Sequence, residues 1–218
     1  MKHYKTDLLD LRCCDNMDLM AKYPDKHFDL AVVDPPYGIE RFKSCSQKDL
    51  TPKNVHAKRF QKMESVNNTK PNEEYFKELF RVSKNQIIWG ANNFNLPTSE
   101  YFLCWDKEQA MPNFATLELA WVSMGLKKPA KLFRYSIHKH NKSTKIHPTQ
   151  KPVKLYEWIF KNYANDGDKI LDTHLGSGSI AIASHYAGLH LTACEIDEDY
   201  FKESVSRIKR ETAQQSLF

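Results

Sequence analysis

Short apolar segments alternate with amphipathic segments along most of the chain, and this order constrains the fold more than any other feature. Apolar runs rich in β-branched and aromatic residues predict strands at 28–34, 86–91, 101–107, 117–124, 169–175 and 190–197. Helical spacing predicts helices at 72–84, 152–164, 179–188 and 198–212. Strands that alternate with helices favour a doubly wound, largely parallel α/β sheet with helices on both faces. The length of 218 residues suits a single domain over 1–218.

Cysteine content and the N-terminal sequence indicate a broad class of protein. The five cysteines are odd in number and show no CxxC spacing, which disfavours a disulfide framework and a structural zinc site. The N-terminus, MKHYKTDLLDL, lacks the apolar core of a signal peptide, and no apolar run approaches the length of a membrane span. We therefore expect a soluble, cytoplasmic protein. We also expect no metal at His138, His140 and His147, because they lie in a basic segment without cysteine partners.

The sequence DPPY at residues 34–37 directly follows an apolar run. Neither proline can donate a backbone hydrogen bond, and each favours an extended conformation in the residue before it, so the strand must end here in a stiff segment. Asp34 and Tyr37 are thereby held at the carboxyl end of a strand, where open α/β sheets place their ligands. An ordinary turn is the alternative, although turns favour Gly, Asn or Asp beside a single Pro.

Positive charge is concentrated in two segments. Residues 41–71 contain eight Lys/Arg and two acids, and residues 126–146 contain seven Lys/Arg and no acid, so their net charges are +6 and +7. Since the whole chain has a net charge of +5, the remainder carries −8. Basic loops on an acidic body are typical of nucleic-acid binding, and solvated loops are the alternative. The candidate DNA-binding residues are Lys58, Arg59, Lys131, Arg134, Lys139 and Lys142.

A second candidate site lies in the sequence LDTHLGSGSIAIA. Gly176 and Gly178 fall between a predicted strand and a predicted helix, where the backbone can turn sharply and bring N–H groups close to a ligand. Glu195 ends the next strand, from which a carboxylate can accept hydrogen bonds from the ribose hydroxyls of a nucleotide-like cofactor. The full G-x-G-x-x-G fingerprint is absent, so a tight turn that packs a helix on the sheet is the alternative.

The motifs DPPY, HPTQKP (147–152), DTHLGSGS (172–179) and EID (195–197) occur in this order and resemble those of the DNA amino-methyltransferases of the β class. The resemblance implies a Rossmann-like sheet with circularly permuted motifs, S-adenosylmethionine as cofactor, double-stranded DNA as partner, and a bacterial or phage origin. By this resemblance, the catalytic residues are Asp34, Pro35, Pro36 and Tyr37. The residues expected to bind the cofactor are Asp15, His147, Thr149, Gln150, Lys151, Asp172, His174, Gly176, Ser177, Gly178 and Glu195.

Within this set, Asp15 resembles the acid that contacts the adenine of the cofactor, and residues 147 and 149–151 match the segment that lines its methionine end. The chain departs from the family at residues 172–174, which read Asp-Thr-His where the family usually has Asp-Pro-Phe. We expect His174 near the cofactor all the same. The region that usually recognises the target is short, so recognition would depend mainly on the two basic segments.

The resemblance implies methyl transfer to the exocyclic amino group of a base that has left the duplex. This nitrogen is a poor nucleophile because its lone pair is delocalised into the ring. The carboxylate of Asp34 and the carbonyl of Pro35 can accept its two hydrogens and hold it in line with the sulfonium methyl, while Tyr37 stacks on the base. An acid at position 34 favours adenine N6, because family members that act on cytosine N4 more often have Ser there. Cytosine N4, an RNA substrate and a homodimer stay open.

The sequence supports three further predictions. Residues 213–218 end in QQSLF, which resembles the peptide that docks bacterial proteins on the replication sliding clamp, and a helix end packed on the body is the alternative. Trp89 is predicted to lie in the core or in the wall of the pocket. A nucleic-acid-binding module without turnover, built on a methyltransferase fold, is the alternative to an enzyme.

Overall fold

The computed structural model describes residues 2–38, 69–109, 115–137, 140, 146 and 149–213. The strands of this part of the chain are β1 (His3–Lys5), β2 (Leu9–Cys13), β3 (Phe28–Val33), β4 (Ser83–Trp89), β5 (Phe102–Asp106), β6 (Leu117–Val122), β7 (Lys131–Arg134), β8 (Lys169–Asp172) and β9 (His190–Glu195). Its α-helices are α1 (Asn16–Met20), α2 (Glu73–Val82), α3 (Val153–Tyr163), α4 (Ser179–Ala187) and α5 (Glu198–Thr212). Two short 3-10 helices cover Ala91–Asn93 and Met124–Leu126.

The strands form one sheet in the order β1-β2-β9-β8-β3-β4-β6-β5-β7. The five consecutive strands from β2 to β4 are mutually parallel, while β1 and β6 run antiparallel to their neighbours. This topology confirms the predicted doubly wound, largely parallel α/β fold. From β8 the chain moves outward to β9, and from β3 it moves in the opposite direction to β4. The carboxyl ends of β3 and β8 therefore flank the point at which open α/β sheets place their ligands.

Local sequence explains where the helices begin. The side chain of Asn72 accepts a hydrogen bond from the backbone N–H of Tyr75 and caps α2, whose first turn carries two glutamates. The carboxylate of Asp197 accepts from the N–H groups of Asp199 and Tyr200 and caps α5. Pro152 precedes α3, where its fixed φ suits the helix start. Within the described residues, no helix is long and apolar enough to span a membrane.

Two hydrophobic clusters cover the two faces of the sheet. Helices α3, α4 and α5 pack over one face, where Leu30, Trp89 and Ile159 are buried. Helices α1 and α2 pack over the other, where Phe28, Val33 and Leu79 are buried. Successive residues of a strand point to opposite faces, so the apolar run of β3 supplies both clusters. This double burial explains why the last four residues of β3 form a continuous apolar run.

The structure differs from the sequence-based prediction at both edges of the sheet. Strands β1 and β2 and helix α1 were not predicted. The segment 126–146 was predicted to be a basic loop, and this was wrong for Lys131–Arg134, which form the edge strand β7. In this strand the apolar residues Leu132 and Phe133 lie between two basic residues, and Phe133 packs against Tyr135 and Trp158. Because of the high local charge, the sequence-based prediction missed this short strand.

Candidate active site

Asp34 lies directly after β3, and both of its carboxylate oxygens have partners within the chain. The hydroxyl of Tyr37 donates to Oδ1 at 2.7 Å. The ammonium of Lys151 donates to Oδ2 at 2.5 Å. The Asp34 side chain is 18% exposed and that of Lys151 only 5%. The sequence predicts that Asp34 accepts hydrogens from an amino group; in the structure Tyr37 and Lys151 each donate to one of its oxygens, and the catalytic role stays a prediction.

Lys151 was predicted to line the methionine end of a cofactor, but its ammonium points into the DPPY segment. Besides Asp34, it contacts the hydroxyl of Tyr37 at 3.3 Å and Oε2 of Glu118 at 3.1 Å. It also lies 5.4 Å from the centre of the Trp89 ring. Burial disfavours the charged form, yet the two carboxylates outweigh it and raise the pKa of Lys151. Lys151 therefore stays an ammonium inside the site.

Glu118 connects Lys151 to a second lysine. It stands at the start of β6, and its Oε1 lies 2.5 Å from the ammonium of Lys107, just after β5. Burial alone would raise the pKa of Glu118, but the ammonium groups of Lys151 and Lys107 lower it to about 2. The cluster of Asp34, Glu118, Lys107 and Lys151 thus pairs two carboxylates with two ammonium groups. We call this group the four-charge cluster.

Tyr37 is positioned by the turn that ends β4. Gly90 follows Trp89 with a φ of +73°, and a Cβ built on it would lie 2.2 Å from Cε1 of Tyr37. The Tyr37 ring meets Phe94 edge to face, with 6.2 Å between centroids. Burial and the nearby Asp34 raise the pKa of Tyr37 well above its usual value, so its hydroxyl keeps its proton. Trp89 itself is fully buried and belongs to the core.

The glycine turn and Glu195 meet as the sequence predicts. Oε2 of Glu195 accepts a hydrogen bond from the N–H of Gly176 at 2.9 Å, and Oε1 accepts from the N–H of Asp197 at 3.0 Å. Gly178 precedes α4 with a φ of +76°, and a Cβ there would lie 2.8 Å from Ile208. Burial raises the pKa of Glu195. The carboxylate ties the end of β9 to the turn after β8.

Asp172 and His174 occupy the start of the same turn. Asp172 ends β8, is 3% exposed and accepts a hydrogen bond from the N–H of His174 at 3.0 Å. Burial raises the pKa of Asp172 to about 8, and burial lowers the pKa of His174 to about 4. The amide nitrogen of Asn16 lies 3.2 Å from Nε2 of His174 and can only donate, so Nε2 accepts. The ring proton is therefore on Nδ1, which donates to Oγ1 of Thr173 at 2.9 Å. The imidazole of His174 is therefore neutral, and both of its nitrogens form hydrogen bonds.

The remaining predicted cofactor residues make contacts within the chain. Asp15 caps α1, since its Oδ1 accepts from the N–H of Met17 at 2.7 Å. Gln150 is buried and accepts from the N–H of Ile146 at 3.1 Å, whereas Thr149 is exposed. The hydroxyl of Ser177 is buried beside that of Ser179, at 3.2 Å. His147 lies outside the described residues. Their roles towards a cofactor stay predictions.

Two of the six candidate DNA-binding residues lie in the described part of the chain. Lys131 and Arg134 both belong to the edge strand β7. Arg134 is 62% exposed and pairs with Asp106 at 3.0 Å, so part of its charge is compensated locally. The other four candidates, Lys58, Arg59, Lys139 and Lys142, lie outside the described residues, as do most of segment 41–71 and the tail motif at 214–218.

A family comparison decides how this site is classified. Residues 84–206 match the N6_N4_Mtase family, described as DNA methylase, and this match covers more than half of the chain. The chain belongs to this DNA methylase family. The resemblance is thereby confirmed at the level of the family, although the match does not extend to the DPPY motif at residues 34–37.

Individual relatives of the DNA methylase family match over different shares of their length. The type II methyltransferase M.HpaI of Haemophilus parainfluenzae is 32% identical over 84 residues, which are 38% of this chain and 27% of M.HpaI. The type II methyltransferase M2.DpnII of Streptococcus pneumoniae is 21% identical over 252 aligned residues, covering 96% of this chain and 92% of M2.DpnII. The chain thus spans about a quarter of the first relative and most of the second.

Solved structures show the same fold at low identity. The complex of M1.HpyAVI with S-adenosylmethionine superposes with a TM-score of 0.56 and 19% identity, covering 92% of this chain and all of that one. PvuII DNA methyltransferase, described as cytosine-N4-specific, gives a TM-score of 0.60 at 14% identity and covers 97% of this chain and 93% of that one. These matches confirm the Rossmann-like methyltransferase sheet.

Sequence reasoning missed Glu118 and Lys107. Neither belongs to a motif, and both flank the β5–β6 hairpin. Because β6 runs antiparallel to β4, its first residues lie at the carboxyl end of β4, which is the edge that carries Asp34. The available signal was an acid at the start of a predicted apolar strand, in LELAW, which has no evident partner in sequence.

Proposed function

We propose that this chain is a DNA methyltransferase that moves the methyl group of S-adenosylmethionine to an exocyclic amino group, with adenine N6 as its target. One arrangement carries the proposal. The DPPY segment after β3 adjoins β8, whose glycine turn is joined to Glu195, in a chain of the DNA methylase family. An amino acceptor and a nucleotide-like donor would therefore meet at the switch point of the sheet.

The described residues fit S-adenosylmethionine chemically. Asp172 is buried and Glu195 is partly buried, at the carboxyl ends of adjacent parallel strands, and desolvation raises the pKa of each carboxyl. A ligand with sulfonium and ammonium groups would stabilise these carboxylates, and its ribose hydroxyls could donate to Glu195. M1.HpyAVI, which shares the fold, was solved with this cofactor. When bound, the cofactor supplies an electrophilic methyl group.

Asp34, Pro35 and Tyr37 would then prepare the base. The carboxylate of Asp34 and the carbonyl of Pro35 accept the two amino hydrogens, which makes the nitrogen lone pair available to the methyl carbon. Transfer would form a nitrogen–carbon bond as the carbon–sulfur bond breaks, leaving the neutral thioether, and the nitrogen would release one proton to water. The Tyr37 ring would offset part of the cost of extruding the base, which is about a few kcal/mol.

The choice of adenine N6 as the target rests on the aspartate at position 34. PvuII DNA methyltransferase has the same fold and is described as cytosine-N4-specific, so the fold fits either target. The two targets can be distinguished by incubating the purified chain with labelled S-adenosylmethionine and mixed-sequence DNA and identifying the methylated nucleoside. N6-methyladenine supports the proposal; N4-methylcytosine would overturn the choice of base and leave amino methylation standing.

A second candidate function is DNA binding without turnover. The observation that favours it is the closed pairing of Asp34 with Tyr37 and Lys151, which occupies both carboxylate oxygens. Substituting Asp34→Ala distinguishes the two. We expect methyl transfer to fall by about 100-fold or more while cofactor affinity persists. A wild-type chain that transfers no label to any mixed-sequence DNA would favour the binding module.

A further inference from the structure

The pairing of Asp34 poses a physical problem for the proposed reaction. Each carboxylate oxygen can accept two hydrogen bonds, but an oxygen that already binds an ammonium, as Oδ2 of Asp34 binds Lys151 at 2.5 Å, is a weaker acceptor for amino hydrogens. Lys151 is 5% exposed, so an ammonium that left Asp34 without another acceptor would be buried and unpaired. Such a charge costs far more than a neutral donor without a partner.

Glu118 is the acceptor that removes this cost. Its Oε2 already lies 3.1 Å from the Lys151 ammonium. An ammonium has three donor hydrogens, and Asp34, Tyr37 and Glu118 are the three oxygen groups around it. Because both carboxylates are already within 3.1 Å of the ammonium, a small side-chain movement is enough for Lys151 to bind Glu118 more closely than Asp34.

Lys107 keeps Glu118 ready for this role. Its ammonium lies 2.5 Å from Oε1 of Glu118, and its side chain is 13% exposed. Glu118 is therefore fixed on one oxygen and available on the other. The tip of the β5–β6 hairpin supplies both residues, whereas Asp34 and Lys151 come from segments before β4 and after β7.

We propose that Glu118 is a positioning residue that draws Lys151 away from Asp34 when the target amino group enters, so that Asp34 can accept the amino hydrogens. Before the base arrives, Lys151 holds Asp34 in place. After it arrives, Glu118 holds Lys151. This inference rests on the proposed methyltransferase function and adds a residue that no motif contains.

The test uses single-turnover methylation of DNA by four chains: wild type, E118Q, K151M and the double variant. In the wild-type background, E118Q should slow transfer by about tenfold or more, because Lys151 then binds Asp34 more tightly. The KM for DNA and the cofactor affinity should stay within about twofold, because the proposal gives Glu118 a role through Lys151 and no contact with either ligand. In the K151M background, E118Q should change the rate by less than about twofold, because the residue it acts through is gone.

The matched control is E157Q, which removes one carboxylate from the exposed Lys154–Glu157 pair on α3. It should methylate at the wild-type rate. If E118Q does not fold, E118D replaces it, since it keeps the charge and withdraws the carboxylate from Lys151, and it should show the same fall in rate without a change in KM.

Several results would overturn the inference. An E118Q or E118D chain as fast as wild type removes Glu118 from the reaction. Equal effects of E118Q in both backgrounds would indicate a general structural role, and a K151M chain with no detectable transfer would make Lys151 a direct participant. A wild-type chain without transfer contradicts the proposed function itself, which separates that failure from the others.

Discussion

Substituting Gly90→Ala tests how tightly the end of β4 controls Tyr37. The added Cβ would lie 2.2 Å from Cε1 and 2.6 Å from Cδ1 of the Tyr37 ring. Carbon atoms in contact are about 3.5 Å apart, so the ring must move by about 1.3 Å. That movement would break the 2.7 Å hydrogen bond from Tyr37 to Asp34. A misplacement of about 1 Å in a reacting group can cost about 100-fold in rate, and we expect a loss of this size.

The variant should also be less stable. Gly90 has a φ of +73°, where an alanine costs about 1–2 kcal/mol, and overpacking adds about 1–3 kcal/mol. Gly188→Ala provides the matched control, because Gly188 has a φ of +67° but nothing within 4 Å of the added Cβ. The control should show the backbone strain alone, with near wild-type methylation.

Methyl transfer and thermal unfolding should be measured on both variants under the same conditions. The reasoning requires that Gly90→Ala loses much more activity than Gly188→Ala, beyond what its lower stability explains at a temperature where both chains are folded. Equal rates for the two variants would refute the link from Gly90 through Tyr37 to Asp34.

Three further predictions concern the cofactor turn and the tail. The native pKa of Asp172 is about 8, above the usual 3.8, so the free energy of unfolding of the wild type must fall as pH rises from about 4 to 8. Asp172→Asn should flatten this pH dependence, which denaturant titrations at several pH values would show. His174→Phe should remove an opposite slope, a loss of stability as pH falls from about 6.5 to 4, since burial lowers the pKa of His174 to about 4; an unchanged profile would contradict its burial as a neutral ring. Deleting residues 214–218 should abolish binding to a bacterial sliding clamp and leave methylation of short duplexes intact, and equal clamp affinity of the truncated chain would exclude the tail as the docking peptide.

The strands that carry the site could be predicted from sequence because they are buried on both faces. β3 ends in four buried apolar residues, β8 buries Ile170 and Leu171, and β9 buries Leu191, Ala193 and Cys194. The ends of these strands, and with them Asp34, Asp172 and Glu195, could therefore be placed within a few residues. The glycine turn was predicted next to Glu195, and the hydrogen bond from Gly176 confirms their proximity.

The four-charge cluster could not be predicted, because it depends on sheet order. Glu118 reaches the site only because β6 inserts antiparallel beside β4. Lys151 was assigned by its motif to the cofactor segment, and a motif gives the neighbourhood of a residue but not the direction of a long side chain. Strand β7 was missed for another reason, since a short edge strand with a basic residue at each end resembles a solvated loop.

The pairing of β3 with β8 also has a consequence for biosynthesis. Leu30 lies beside Ile170, so the two strands that flank the reaction centre come from opposite ends of the polypeptide. The ribosome releases the chain from its N-terminus, so β3 cannot pair with β8 until residues 169–172 have emerged. A nascent or prematurely terminated product would have the DPPY segment without the glycine turn beside it. The pocket can assemble only after the ribosome has released the segment that holds Glu195, so a nascent chain that ends before β9 would lack part of the candidate site.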